Sequence, residues 1–485
     1  MRWIKVNLVG GLVAVLSLAG SDGRTAEPLV DNDFNLDPTT GPVLGSDRVV
    51  AMGGAFTALS TGIDGAAWNP ASYGSRTLWE PNWFEWEATA GITLSGLFSR
   101  NDFFNNGAGV GIGADQFIFF DTGLRLQFAY LGVGGLFRVQ TYSVDLPDGP
   151  ADVTTYTAQY GGAWMFLGGQ LIAGLGGRTV GLNIWAQDEI LVEFLGTGVE
   201  AGLVWRPVGW PFRIGVTGRS PVISKQVTDP ETGETVDETM GFVLPQKVYL
   251  PWEAQAGVAV QVGKRPLNRC WRKPVDPQDQ LQAQLRAGWC EREREQAIKE
   301  LERDGKPTDF VGSCPNLGYR PRDRQFWIAE ESRRRQEEFA VDIRIEHRRD
   351  VERRRMEREY AELPRFYWLI TADLLVVGQV PAAIGIDAFL DQERRRIGET
   401  VAVGGRLGSE IELWPGWLKL RAGGYLEPGR NAGVSPRMHG TAGLDVKLFT
   451  WDLFGWIEPF SIRAGGMVDF APRYFNWGVG VGFWH

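Results

Sequence analysis

Five basic side chains, Arg125, Arg406, Lys419, Arg421 and Arg463, fall in segments whose apolar residues recur at every second position. Each sits on the face opposite the apolar one, so all five would point the same way if those segments were strands of one sheet. A guanidinium or ammonium there could hold a carboxylate head group. Glu410, Glu412, Asp445 and Asp469 share that face and could simply neutralise the cations, which explains most of these residues as polar packing of the interior. Catalysis finds little support. The chain has 3 histidines, at positions 347, 439 and 485, and no serine motif points to His439 as a nucleophile's base. No Cys/His spacing suits a metal, and nothing implies a cofactor. Cys270, Cys290 and Cys314 lie in one charged segment, where export would permit a bridge between Cys290 and Cys314.

The segments that carry these charges alternate cleanly. Leu124, Leu126 and Phe128 oppose Arg125 and Gln127, and Phe366, Trp368, Ile370 and Leu374 oppose Thr371 and Asp373. Ala254 to Val262, Val401 to Leu413 and Phe460 to Phe470 repeat the pattern, and the chain closes on Trp477-Gly-Val-Gly-Val-Gly-Phe483. A soluble sandwich also alternates. What tips the balance is composition: 63 Gly and 20 Trp suit a crowded interior and aromatic girdles. A mean hydropathy of -0.17 excludes nothing, since half of each barrel strand faces water. The expected fold is therefore all-β, a transmembrane antiparallel β-barrel of about 14 strands. These begin near residues 84, 106, 124, 153, 170, 197, 211, 252, 365, 399, 416, 436, 458 and 474.

The domain reading follows. Residues 1–21 read as a signal peptide, with Arg2 and Lys5 before an apolar run from Leu8 to Leu18 and small residues at Ala19-Gly20-Ser21. Residues 22–80 form an N-terminal segment, 81–263 hold eight strands, 264–365 form a charged insert and 366–485 hold six strands. If both termini are periplasmic, the connections at 168–169, 207–211 and 415–416 are the short periplasmic ones. Those at 220–251, 380–400 and 428–436 are the long extracellular ones. The insert reads as two solvated helices, Gln278 to Asp304 and Gln325 to Leu363, rich in i,i+4 charge pairs. Strand parity places it in the periplasm, as a spacer or as an arm for a protein partner. Its near-balanced charge and its compartment exclude nucleic acid.

Between signal and first strand the chain runs Arg48-Val-Val-Ala-Met52-Gly53-Gly54-Ala55, then Asp64, then Asn69-Pro70-Ala71. The small residues would let backbones approach closely, and the Asn-Pro step would set a turn. This order and spacing resembles the start of the FadL/TodX family of outer-membrane hydrophobic-compound transporters, including PorV-like barrels. The resemblance implies a hatch that plugs the lumen, an outer-membrane location in a Gram-negative cell, contact with membrane lipid and a hydrophobic ligand such as a long-chain fatty acid or hydrocarbon. It also implies a lateral exit at a kinked third strand, for which Gly132, Gly134 and Gly135 are the candidates, the alternative being ordinary glycines of a barrel wall. The alternative it carries is a PorV-like interaction barrel that serves protein secretion or assembly through its helical arm.

Overall fold

The alternation becomes fourteen antiparallel strands that close on themselves in the computed structural model. The structure describes residues 27–39, 41–76, 83–95, 102–106, 117–146, 149–186, 189–224, 237–239, 241–269, 271, 277–362, 366–431, 434–451 and 460–483. The signal run, Cys270 and His485 lie outside the described residues. In chain order the barrel strands are β1 (Phe84–Ser95), β2 (Phe117–Phe128), β3 (Leu131–Leu146), β4 (Gly149–Phe166), β5 (Leu171–Ala186), β6 (Glu189–Trp205) and β7 (Phe212–Arg219). The second half comprises β8 (Glu253–Gly263), β9 (Tyr367–Val377), β10 (Ala402–Trp414), β11 (Leu418–Glu427), β12 (Arg437–Trp451), β13 (Phe460–Ala471) and β14 (Tyr474–Phe483). Each pairs with its sequence neighbours, and β14 pairs with β1 to shut the cylinder. Closure leaves no sheet edge, the condition a spanning sheet must meet.

Two strand starts differ from expectation. The second strand, expected from residue 106, is described from Phe117, residues 107–116 lying outside the described residues, and the third, expected from 124, begins at Leu131. The alternation from Leu124 to Tyr130 hid the break. Ala129 and Tyr130 make the turn, with Ala129 at φ 48°, and neither is a usual turn residue. Arg125 therefore belongs to β2. A further start differs as much, β6 at Glu189 where residue 197 was expected, and the remaining starts fall within four residues of expectation.

Outward side chains are apolar and exposed, among them Leu175, Leu195, Leu374, Leu407 and Val481. Trp164, Trp205, Trp210, Trp414 and Trp417, also exposed, cluster by the turns at 167–170, 206–211 and 415–417. An apolar belt of this extent with an aromatic rim is what lipid, not water, accommodates. No helix among the described residues is long and apolar enough to cross a membrane. At the opposite rim, short strands Val222–Ile223, Lys247–Leu250, Asn35–Asp37 and Ala383–Gly385 form a small sheet. It covers an apolar cluster that includes Phe34, Leu36, Phe103, Tyr142 and Phe389.

The charged insert is a separate compact unit of residues 272–363, so its boundary falls eight residues later than the composition suggests. Residues 264–271 belong with the barrel: Arg213 of β7 donates to Asn268 Oδ1 at 2.9 Å and to the carbonyl of Leu267 at 2.8 Å. Within the unit, α2 (Pro277–Arg303) runs antiparallel to α3 (Arg324–Glu362). The pair is held by Arg292–Glu330 and Arg292–Glu337 at 2.8 Å each and by Arg334–Glu293, while a disulfide ties Cys290 of α2 to Cys314 in the connection between the helices. Ile345 is buried, while Phe339, Ile343 and Val351 of the same apolar stripe are exposed.

Candidate functional site

Residues 41–76 fill the lumen, and the local sequence explains how. Helix α1 (Asp47–Ala51) is one turn long. It ends where Gly53 and Gly54 take φ of 60° and 71°, a left-handed geometry that favours glycine. A Cβ on Gly53 would meet the backbone of Gly424 at 2.7 Å, so the chain can only pass β11 here without a side chain. Asn69 caps the 3-10 turn Pro70–Gly74: its Oδ1 accepts from Ala71 N at 3.0 Å and its Nδ2 donates to the carbonyl of Thr57 at 3.0 Å. Met52, Ala55 and Ala71 are fully buried. Inward glycines of the barrel are the mating surface. A Cβ on Gly202 would strike Asn69 Oδ1, and one on Gly480 would lie 2.4 Å from Asp47 Oδ1.

Charge then fastens the segment to the wall. Arg463 of β13 reaches Asp47 at 2.9 Å, Asp64 at 3.0 Å and Asp445 at 3.1 Å. Arg421 pairs with Glu410 and Asp445 at 2.7 Å each, and Arg48 lies 3.5 Å from Glu410 and 5.1 Å over the Phe56 ring. Arg125 is fully buried and is held by Glu85 at 2.7 Å, Glu87 at 3.0 Å and the Ser75 carbonyl at 2.8 Å. Lys419 is buried beside the same acidic cluster. Of the five cations proposed for a ligand head group, four are thus committed to protein carboxylates or buried beside them. Glu412 is likewise taken by Arg265 at 2.7 Å.

The fifth, Arg406, lines a cavity of about 230 Å³ inside the barrel. One wall is apolar and comes largely from the N-terminal segment, through Val43, Leu44, Ala67 and Trp68. The other is polar and comes from the strands, with Arg138, Gln140, Gln159, Arg178, Arg219 and Glu253. Sequence reading passed over these arginines. The signal is present, because Arg138 and Gln140 alternate with Phe137 and Val139, but the three glycines dominate the pattern of β3.

His439 also acquires a different role from the one considered. Its Nδ1 lies 2.9 Å from Asp469 and its Nε2 2.8 Å from Glu427, while its ring stacks on Tyr425 at 4.2 Å. The Tyr425 hydroxyl donates to Asp469 at 2.6 Å and accepts from Val43 N at 3.1 Å. This imidazole braces Tyr425, which anchors the start of the lumen segment, and bonds no Ser or Cys among the described residues.

The expected kink in the third strand is absent. β3 pairs with β2 and β4 in unbroken register through Gly132, Gly134 and Gly135. Those glycines admit the N-terminal segment instead: a Cβ on Gly132 would overlap the Tyr73 carbonyl, and one on Gly134 would lie 3.0 Å from the Tyr73 ring.

No protein-family model and no curated protein sequence matches the chain. Among solved structures it is similar to the CymD monoaromatic hydrocarbon channel, at 8% identity over 92% of this chain and 97% of that one, with a TM-score of 0.47. It is also similar to the Pseudomonas putida toluene transporter TodX, at 10% identity over 93% and 98%, with a TM-score of 0.43.

Proposed function

We propose that the chain is a channel of the Gram-negative outer membrane for small hydrophobic compounds, with residues 41–76 as its hatch. The observation that carries this reading is the lumen itself: a closed, lipid-facing barrel is filled by one segment that borders an internal cavity. A structural pore would gain nothing from that segment, whereas a gate needs one. Because β3 is fully paired to its neighbours, passage requires the hatch to shift, and does not use a gap in the wall. The short-turn rim is then periplasmic and the small sheet over the other rim is extracellular. The test is uptake of labelled small aromatic compounds by cells with and without the chain. Barrel-dependent accumulation is expected, and equal accumulation in both strains refutes the reading.

A second reading rests on α3. Its exposed Phe339 and Ile343 offer apolar surface on a periplasmic arm to a protein partner, as an interaction barrel would. Deleting residues 274–361 separates the two readings. Uptake survives under the channel reading, whereas under the second a co-purifying partner is lost.

A further inference from the structure

The cavity is too polar for a neutral hydrocarbon. Arg138, Arg178, Arg219 and Arg406 all line it. Two of them are matched. Arg219 pairs with Glu253 at 2.7 Å and Glu200 at 3.3 Å, and Arg178 shares Glu253 at 3.5 Å while donating to the Ser220 carbonyl at 2.7 Å. Glu200 and Glu253 thus serve Arg219 and Arg178. Arg138 and Arg406 form no ion pair among the described residues: the carboxylates opposite them in register, Asp121 and Asp373, are not in direct contact with them, and Asp373 Oδ2 instead accepts from Thr57 N at 2.8 Å. Arg138 donates to Gln159 Oε1 at 2.7 Å, and its buried Nε has no partner. Arg406 has only the long contacts to Gly54 O and Gln255 Oε1, both at 3.5 Å. β3 and β10 stand half-way round the barrel from each other, so both walls present a guanidinium without a direct ion pair to one space.

A guanidinium that lines a confined lumen with N–H groups lacking a direct carboxylate partner gains charge-assisted hydrogen bonds from a ligand that supplies one. A carboxylate or sulfonate suits the guanidinium fork. The facing wall of Val43, Leu44 and Trp68 can bury a ring but offers nothing to a second polar group. Volume sets the scale. An apolar cavity of about 150 Å³ holds one benzene, so 230 Å³ holds a ring with a small head group and excludes a long acyl chain.

We infer that this cavity binds a small amphipathic anion, a monocarboxylate or monosulfonate with about one ring of apolar body, through Arg138 and Arg406. The inference rests on the channel reading only in taking the cavity to lie on the path. It is tested on the purified full chain in detergent by calorimetric titration with benzoate, toluene and acetate. Benzoate is expected to bind at least about tenfold more tightly than either the neutral ring or the bare carboxylate. Arg138→Met and Arg406→Met each lower benzoate affinity about tenfold or more and leave toluene unchanged. Heat-shifted migration on gels verifies that each variant is a folded barrel. If Arg138→Met does not fold, Arg406→Met and Arg138→Lys carry the comparison. Toluene binding as well as benzoate, acetate binding as well as benzoate, or both methionine variants keeping full benzoate affinity overturns the inference. Anion-selective binding without barrel-dependent uptake refutes the channel reading and leaves the site standing.

Discussion

Replacing Arg463 by methionine should unfasten the hatch while leaving the barrel closed. Arg463 is 3% exposed and bonds three carboxylates, two of which, Asp47 and Asp64, belong to the hatch. Its surroundings balance: Arg48, Lys419, Arg421 and Arg463 give +4, and Asp47, Asp64, Glu410 and Asp445 give -4. Methionine leaves a net charge of -1 with two aspartates unpaired in a space with little water. Breaking a buried ion pair on one side costs about 3–5 kcal/mol. Only the docked hatch pays that cost, since an undocked one rehydrates its aspartates. At about 1.4 kcal/mol per tenfold, the undocked population rises between roughly one hundred and several thousand times. Planar-bilayer recording reads this directly as openings absent from the unaltered chain, and protease cleavage within residues 41–76 reads it independently. Adding Asp64→Asn to Arg463→Met restores part of the closure, because one unpaired charge is gone. Equal closed fractions and equal protease resistance for Arg463→Met and the unaltered chain would refute the claim that these ion pairs hold the hatch.

Three further outcomes follow from particular contacts. Gly53→Ala forces a side chain into backbone at 2.7 Å at φ 60°, which costs about 1–3 kcal/mol and lowers the temperature at which the barrel's gel mobility shifts. Cys290→Ser opens a bridge across a separation of 24 residues and destabilises the helical unit by about 3 kcal/mol, seen as faster proteolysis of residues 277–362 with the barrel intact. Acid should loosen that same unit. Burial alone would raise the carboxyls of Glu300 and Glu330, but the backbone N–H groups of Arg322 and Asp323 on the first outweigh it, as do the Arg292 and Arg334 guanidiniums on the second. Both are held below the usual 4.5. A depressed carboxyl stabilises the fold above its unfolded value and loses that contribution as pH falls through the folded one. Proteolysis of the unit should therefore accelerate below about pH 4.5 and be unchanged between pH 6 and 8.

The barrel was legible because period-two alternation needs only one strand at a time. It placed the apolar face of Trp477, Val479 and Val481 outward and Gly478, Gly480 and Gly482 inward, as found. Helices α2 and α3 were legible to within a residue at each end, from charge pairs at helical spacing. The break at Ala129-Tyr130 was not, because neither residue is a usual turn-former and the alternation runs through it. The candidate site was legible only as a set of inward charges. Which of them are free depends on register between strands and on where the hatch lies. Arg125 and Arg406 look alike in sequence, yet Glu85 and Glu87 bond the first, while the second makes no direct ion pair among the described residues. The glycines of β3 carried a true signal of close approach. What approaches is Tyr73, which no local pattern reveals.

The central claim, that residues 41–76 must move for passage, is tested most directly by tethering them. Thr57 Oγ1 donates to Gln255 Oε1 of β8 at 3.1 Å, so cysteines at these two positions can be joined by a short thiol-reactive bridge. Uptake of labelled aromatic compounds by cells carrying Thr57→Cys with Gln255→Cys is the measurement. Bridging should abolish uptake and cleaving the bridge should restore it; uptake that continues unchanged with the hatch tethered would contradict the account.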